Sequence, residues 1–153
     1  MTTTTSKQAE VAFGLANEER IAYEWLSRQK IEPLLSLTLT KAGGYADFDY
    51  WVFDPQGILV CYLEVKMRRK PLSAFGDAMF PLRKHKLGLR VKGLNNAPFL
   101  AVTEYACGSL VQVDLSLEPS FERDIARRDR PGMKPVPHVF YTKDKMTILQ
   151  GAR

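Results

Sequence analysis

The sequence predicts an α/β fold, a single domain with a mixed central β-sheet flanked by helices. Three observations predict it. At 153 residues and 45% hydrophobic, the chain can build one well-cored domain and is short for two. The run Ile58-Leu59-Val60-Cys61-Tyr62-Leu63-Glu64-Val65-Lys66 is too apolar and β-branched for a solvent-washed strand and suits a sheet covered on both faces. Helical and strand patterns follow one another as α-β-β-α-β-β, and a crossover helix before the third strand gives a mixed sheet with helices on its faces.

The run Met1-Thr2-Thr3-Thr4-Thr5 is polar. Residues 1–8 are therefore expected to form a frayed tail and not a signal peptide, with the domain over 9–153. A helix is predicted over Gly14–Leu26, with Val11, Leu15, Ala22 and Trp25 recurring at helical spacing. Glu18 lies on that inward stripe, Glu19 one position off it, and Glu24 on a more exposed side. A carboxylate among core residues requires a partner. The alternative is that Glu18 and Glu19 are ordinary solvated charges of an amphipathic helix.

Two strands follow. Side chains alternate along a strand, so Ile58, Val60, Tyr62, Glu64 and Lys66 share one face, while Leu59, Cys61, Leu63 and Val65 form a wholly apolar one. Asp47, Asp49, Trp51 and Phe53 alternate in the same way with Phe48, Tyr50 and Val52. Asp54-Pro55-Gln56-Gly57 carries turn chemistry, with proline presetting a dihedral and glycine able to take positive φ, which predicts an antiparallel hairpin. A four-residue loop pairs Phe53 with Ile58 and sets Asp47 across from Glu64 and Asp49 across from Tyr62. A loop of Pro55, Gln56 and Gly57 shifts the pairing by one and flips the relative faces unless a bulge restores them. The first register is preferred because it segregates charge from apolar surface.

In that register Asp47, Asp49, Glu64 and Lys66 cluster at one end of a face whose other end is Trp51, Phe53, Ile58 and Val60. Carboxylates this close raise one another's pKa, which a hard divalent cation such as Mg²⁺ relieves. A metal there polarises a phosphate oxygen, and the lysine positions the attacking water or stabilises developing charge. This is the chemistry of phosphodiester hydrolysis. Alone, Glu-x-Lys means no more than a solvated strand end. The signal is its conjunction with an Asp-bearing strand, a defined turn and an apolar opposite face.

Net charge is +5, yet Lys66 to Lys92 holds nine Lys and Arg against Asp77 alone, so the basic surface is local and begins where the candidate site ends. Its natural partner is a polyanion. Lys70–Pro81 reads as a loop able to reach over a substrate, with Phe75 and Phe80 as lids of the core in the alternative. Arg83–Lys92 reads as a helix with Leu87, Val91 and Leu94 inward and its cations outward. Arg68, Arg69, Lys70, Arg83, Lys84 and Lys86 are the cations of that surface nearest the candidate site. Ala97–Tyr105 and Ser109–Leu115 read as strands, and Glu118–Pro137 as a short charged helix and loop. His138–Tyr141 and Met146–Leu149 read as a last hairpin, at an edge or a dimer contact. Cys61 and Cys107 fit reduced thiols of a cytosolic protein, His85 and His138 lack metal-ligand spacing, and no Walker glycine loop or Gly-x-Ser-x-Gly elbow occurs. Nothing marks export or a membrane.

Asp47 or Asp49, followed by Glu64 and Lys66, resembles the motif of the PD-(D/E)xK nuclease superfamily, which holds many restriction endonucleases and archaeal Holliday junction resolvases. Ala46 stands where the literal motif has proline, a position that varies and carries no chemistry. Gly14-x-x-x-Glu18 is similar to the resolvase-like branch, and the resemblance covers roughly Gly14 to Val111. It implies a restriction-endonuclease-like core in α-β-β-α-β order. It further implies metal ligands Asp47, Asp49, Glu64 and Glu18, with Glu19 as second choice, and Lys66 beside the attacking water. A helix after the Glu-x-Lys strand often supplies phosphate contacts in the family, which makes Arg68, Arg69, Lys70, Arg83, Lys84 and Lys86 the candidate DNA-binding set, with Lys84 and Lys86 as accessory site residues in the alternative. The implied activity is an Mg²⁺- or Mn²⁺-dependent endo- or exonuclease on branched or duplex DNA, with RNA as an open alternative. Small size without an appended recognition domain points to structure-specific or nonspecific cutting in recombination, repair or phage DNA processing, in the cytoplasm of a bacterial or phage-infected cell. Resolvases of this kind act as homodimers, so a homodimer is a further expectation. The competing reading is a DNA-binding or structural module that retains the fold without turnover, against which the clustered buried charge weighs.

Overall fold

In a computed structural model, which describes residues 2–29, 36–74, 76–126 and 132–151, the near-continuous apolar run around Cys61 becomes a central strand covered on both faces. β1 (Thr38–Lys41), β2 (Tyr50–Phe53), β3 (Leu59–Met67), β5 (Phe99–Glu104), β6 (Leu110–Asp114) and β9 (Met146–Gln150) form a six-stranded sheet in that order. β3 and β5 are parallel and the other neighbours antiparallel, so the sheet is mixed, as expected. The chain passes from β3 to β5 through β4 (Asp77–Pro81) and α2 (Leu82–Asn95). β4 then joins β8 (Val136–Thr142) and β7 (Phe121–Ile125) in a second, three-stranded sheet ordered β4-β8-β7.

α1 (Thr2–Ser27) buries Ile21 and Ala22, with Trp25 four and three positions on, against Val52, Cys61, Leu63, Val102 and Leu110 on one face of the large sheet. Trp25 Nε1 also donates to Gln112 Oε1 at 2.7 Å. On the other face Tyr62, Phe99, Ala101 and Val113 pack with Val91 of α2 and with Phe80, Val139 and Tyr141 of the small sheet. The inward side of α2 comes unusually close to the chain after β6: a Cβ on Gly88 would stand 2.7 Å from Leu115 O. Only glycine permits that approach.

Several expectations give way here. α1 begins at Thr2, where a tail over residues 1–8 is expected; a nucleated helix gains one backbone bond per residue added, which carries weak formers such as threonine. Leu15 is exposed, and so is Leu94, which lies past the end of the α2 contact. The side chain of Val11, expected inward, and the whole of Phe75 lie outside what the structure describes. The Lys70–Pro81 segment is not a loop over the substrate, since it carries a 3₁₀ turn (Leu72–Ala74) and β4, and Phe80 is core. Phe121–Ile125 is a strand and not part of a charged helix, because Phe121 stacks on Phe140 of β8 with centroids 4.7 Å apart. The last two strands form no hairpin: β8 pairs with β4 and β7, and β9 with β6. Long-range pairing overrides their proximity in sequence.

Candidate active site

The β2–β3 turn decides which carboxylates meet. Gly57 adopts φ +80° and donates its N–H to Asp54 O at 3.0 Å, while Asp54 Oδ1 accepts the N–H groups of Gln56 and Ile58. Asp54 N–H donates to Ile58 O, so Pro55-Gln56-Gly57 is the loop. Phe53 lies across from Leu59, and a bulge between Val52 and Phe53 then sets Val52 across from Cys61 and Trp51 across from Tyr62. The bulge restores the faces that the shorter loop would flip. It also corrects the preferred register: the ladder runs on to Tyr50 across from Leu63, with Asp49 N–H donating to Leu63 O. Asp49, and not Asp47, therefore reaches Glu64.

Asp49 is held from both sides. Its carbonyl accepts Ala42 N–H at 2.9 Å, closing the loop 43–48 at its base, and its Oδ2 accepts Val65 N–H at 2.8 Å. Glu18 projects from α1 into a hydrogen bond with Asp49. Burial first, then the charge of Asp49 and that hydrogen bond, push the Glu18 carboxyl up to about 7 against the opposing pull of Lys41. The shift keeps the Glu18 carboxyl protonated to a higher pH than a free glutamate. Glu19, the second choice, points to solvent.

Glu64 is 7% exposed. Its Oε1 lies 2.5 Å from Lys84 Nζ, and its Oε2 is buried without a hydrogen-bond partner. Burial holds this carboxyl above its ordinary range, with Lys84 and then Lys66 offsetting part of the rise. Lys66 Nζ stands 5.2 Å from the centroid of the Phe80 ring, and burial lowers its pKa against the charge of Glu64. Asp47 stands apart, exposed on the loop and 3.8 Å from Arg83, with only its backbone carbonyl accepting from Lys84.

Of the candidate DNA contacts, Arg69, Lys70, Arg83 and Lys86 are exposed. Arg68 is half-buried and donates to Met79 O at 3.2 Å, so its guanidinium is partly committed to the fold. Lys84 departs from the outward cations expected of α2: it is buried and paired with Glu64, beside the site for which it is the alternative accessory residue. Its signal was legible, since Lys84, Gly88 and Val91 fall on one helical stripe and all are buried.

Among the described residues no three His, Cys, Asp or Glu side chains stand together as a ready-made ligand set. Glu18 and Asp49 are closed on each other and Glu64 is half-neutralised by Lys84. The donor chemistry nevertheless suits a divalent cation: Glu18 lies within the electrostatic reach of Asp49 and Glu64, all three are hard oxygen donors, and Glu64 Oε2 is an orphaned buried acceptor of the kind a cation would satisfy.

No protein-family model matches the chain, and no curated protein matches it. Among the described residues, no helix is long and apolar enough to cross a membrane. Among solved structures the chain is similar to Hjc of Archaeoglobus fulgidus, a Holliday junction resolvase from an archaeal hyperthermophile. The TM-score is 0.44 at 12% identity, over 84% of this chain and 88% of that one. At that similarity the roles of the side chains rest on the geometry of the site itself.

Proposed function

We propose that the protein is a divalent-metal-dependent DNA nuclease that hydrolyses phosphodiester bonds. The observation that carries this reading is the buried, unpartnered Oε2 of Glu64 beside Asp49 and Glu18, with Lys66 two residues along the same strand face. Glu64 and Asp49 would hold the cation and Glu18 would assist. Asp47 is left at the rim beside Arg83. A bound Mg²⁺ or Mn²⁺ supplies polarisation of a phosphate oxygen and a lowered pKa for its water. Lys66 Nζ, desolvated against Phe80, donates to the attacking water and stabilises charge developing on the phosphate. Arg69, Lys70, Arg83 and Lys86 hold the flanking backbone of branched or duplex DNA. A homodimer cutting paired strands in the cytoplasm of a bacterial or phage-infected cell completes the proposal.

The test is cleavage of labelled linear duplex, single-stranded and four-way-junction DNA with Mg²⁺ or Mn²⁺. The substrate cut fastest decides between a resolvase and a general nuclease, and no cutting of any of them overturns the proposal. The closed Glu18–Asp49 pair favours one other reading, a DNA-binding module without turnover. That module would bind DNA in a salt-sensitive way and show no response to metal.

Two further outcomes are expected. Arg83→Ala and Lys86→Ala should each lower the slope of log affinity against log salt by about 1, measured by fluorescence anisotropy on a fixed duplex. The second concerns pH. Because the Glu18 pKa is raised in the fold to about 7, its contribution to stability is fully present below the unfolded carboxyl value. That contribution is lost as pH rises towards 7. The metal-free protein should lose Tm over that range, and Glu18→Gln should flatten the dependence. Cation affinity should rise over the same range, by about tenfold per pH unit if one proton leaves. Calorimetric titration with Mg²⁺ at several pH values reads it.

A further inference from the structure

We infer that Lys84 is a built-in counter-ion that balances Glu64 until a divalent cation takes over that role, an inference that rests on the metal-dependent reading above. The other cations of α2 lie where a solvated helix face puts them, with Arg83, Lys86, Arg90 and Lys92 all exposed. Lys84 is 7% exposed on the inward stripe with Gly88 and Val91. A buried ammonium is costly unless paired, and an apolar side chain would fill that stripe without the cost. The lysine is paired twice: its Nζ lies 2.5 Å from Glu64 Oε1 and also donates to the carbonyl of Asp47. It therefore ties α2 to β3 and to the loop 43–48, whose base is closed by the Ala42–Asp49 hydrogen bond of 2.9 Å. Lys66 adds a smaller contribution through its charge alone, its Nζ sitting over the Phe80 ring.

The charges then follow an order. Before a cation arrives, Glu64 is balanced by Lys84 at its Oε1. Lys84 occupies Oε1 of Glu64 and leaves Oε2 buried without a hydrogen-bond partner. A dication joined to Oε2 brings two positive charges close to the ammonium, so it replaces the compensation that Lys84 supplied and weakens the pair by repulsion. Lys84 is thus a positioning residue that lets a buried carboxylate cluster fold before it is loaded. Cation and lysine are energetically coupled through Glu64, and the coupling is reciprocal.

Thermal unfolding of the full chain in EDTA and in millimolar MgCl₂ tests this. In EDTA, Lys84→Met is expected to melt about 10 °C below the native protein, because it leaves a buried uncompensated carboxylate. MgCl₂ should raise the Tm of Lys84→Met by clearly more than it raises that of the native protein. In EDTA the double variant Glu64→Gln/Lys84→Met should recover most of the loss, since both charges are gone. If Lys84→Met does not fold in EDTA, the double variant decides: recovery supports the inference and its absence overturns it. Lys84→Met as stable as the native protein in EDTA, or equal shifts with MgCl₂, also overturns it. A native protein that ignores MgCl₂ fells the metal-dependent reading and this inference together, whereas a native response without a larger one in Lys84→Met fells only the inference.

Discussion

Lys66→Ala is expected to fold like the native protein and to lose DNA cleavage by roughly 10²–10³-fold, the scale of removing one preorganised electrostatic donor. The folding half of that expectation follows from the contacts. Lys66 Nζ lies over the face of Phe80, while the ion pair that neutralises Glu64 is made by Lys84. Truncating Lys66 removes a desolvated cation and leaves the Glu64–Lys84 pair and the Asp49–Val65 hydrogen bond intact. Glu64→Ala should abolish cleavage too, but by a different route. It strands the buried Lys84 ammonium, and breaking a buried pair from one side costs about 3–5 kcal/mol. Single-turnover cleavage and thermal melts on both variants therefore separate chemistry from folding. Lys66→Ala with full activity and an unchanged melt would remove the lysine from the mechanism.

Gly88→Ala is expected to destabilise the fold, although glycine to alanine within a helix ordinarily stabilises by up to about 1 kcal/mol. The new Cβ would meet Leu115 O at 2.7 Å and Leu115 C at 2.8 Å, and backbone atoms cannot turn aside as a flexible side chain would. Overpacking of this kind costs about 1–3 kcal/mol. Leu115 is itself anchored, its N–H donating to Phe99 O at 2.8 Å and its carbonyl hydrogen-bonded to His85 Nδ1 at 2.8 Å. Relief must therefore come from α2 moving away from the sheet. Lys84 lies one turn before Gly88 and would move with it, loosening its hold on Glu64. The variant should lower Tm by several degrees and lower cleavage as well, although Gly88 touches none of the carboxylates. An unchanged melt would show that Leu115 can give way.

Much of the architecture is local enough to read from the chain. The apolar run from Ile58, the alternation of Tyr62, Glu64 and Lys66 against Cys61, Leu63 and Val65, and the inward stripe Ala22–Trp25 all follow from periodicity, which needs only near neighbours. The mixed sheet follows from their order. β1 and β4 carry no such signal, because Thr38–Lys41 and Asp77–Pro81 are short and sit among turn-forming residues, so partners distant in sequence define them.

The amino-acid sequence by itself determined the hairpin, its charged and apolar faces, and the presence of carboxylates with a lysine at one strand end. Only the tertiary structure decided that Asp49 and not Asp47 meets Glu64, since a one-residue bulge at Val52/Phe53 resets every pair beyond it. Only the tertiary structure likewise brought Glu18 to Asp49 and Lys84 to Glu64. Those partners come from helices on opposite faces of the sheet. Their meeting depends on how each helix is docked, down to the absent Cβ of Gly88, and no period along the chain encodes that distance.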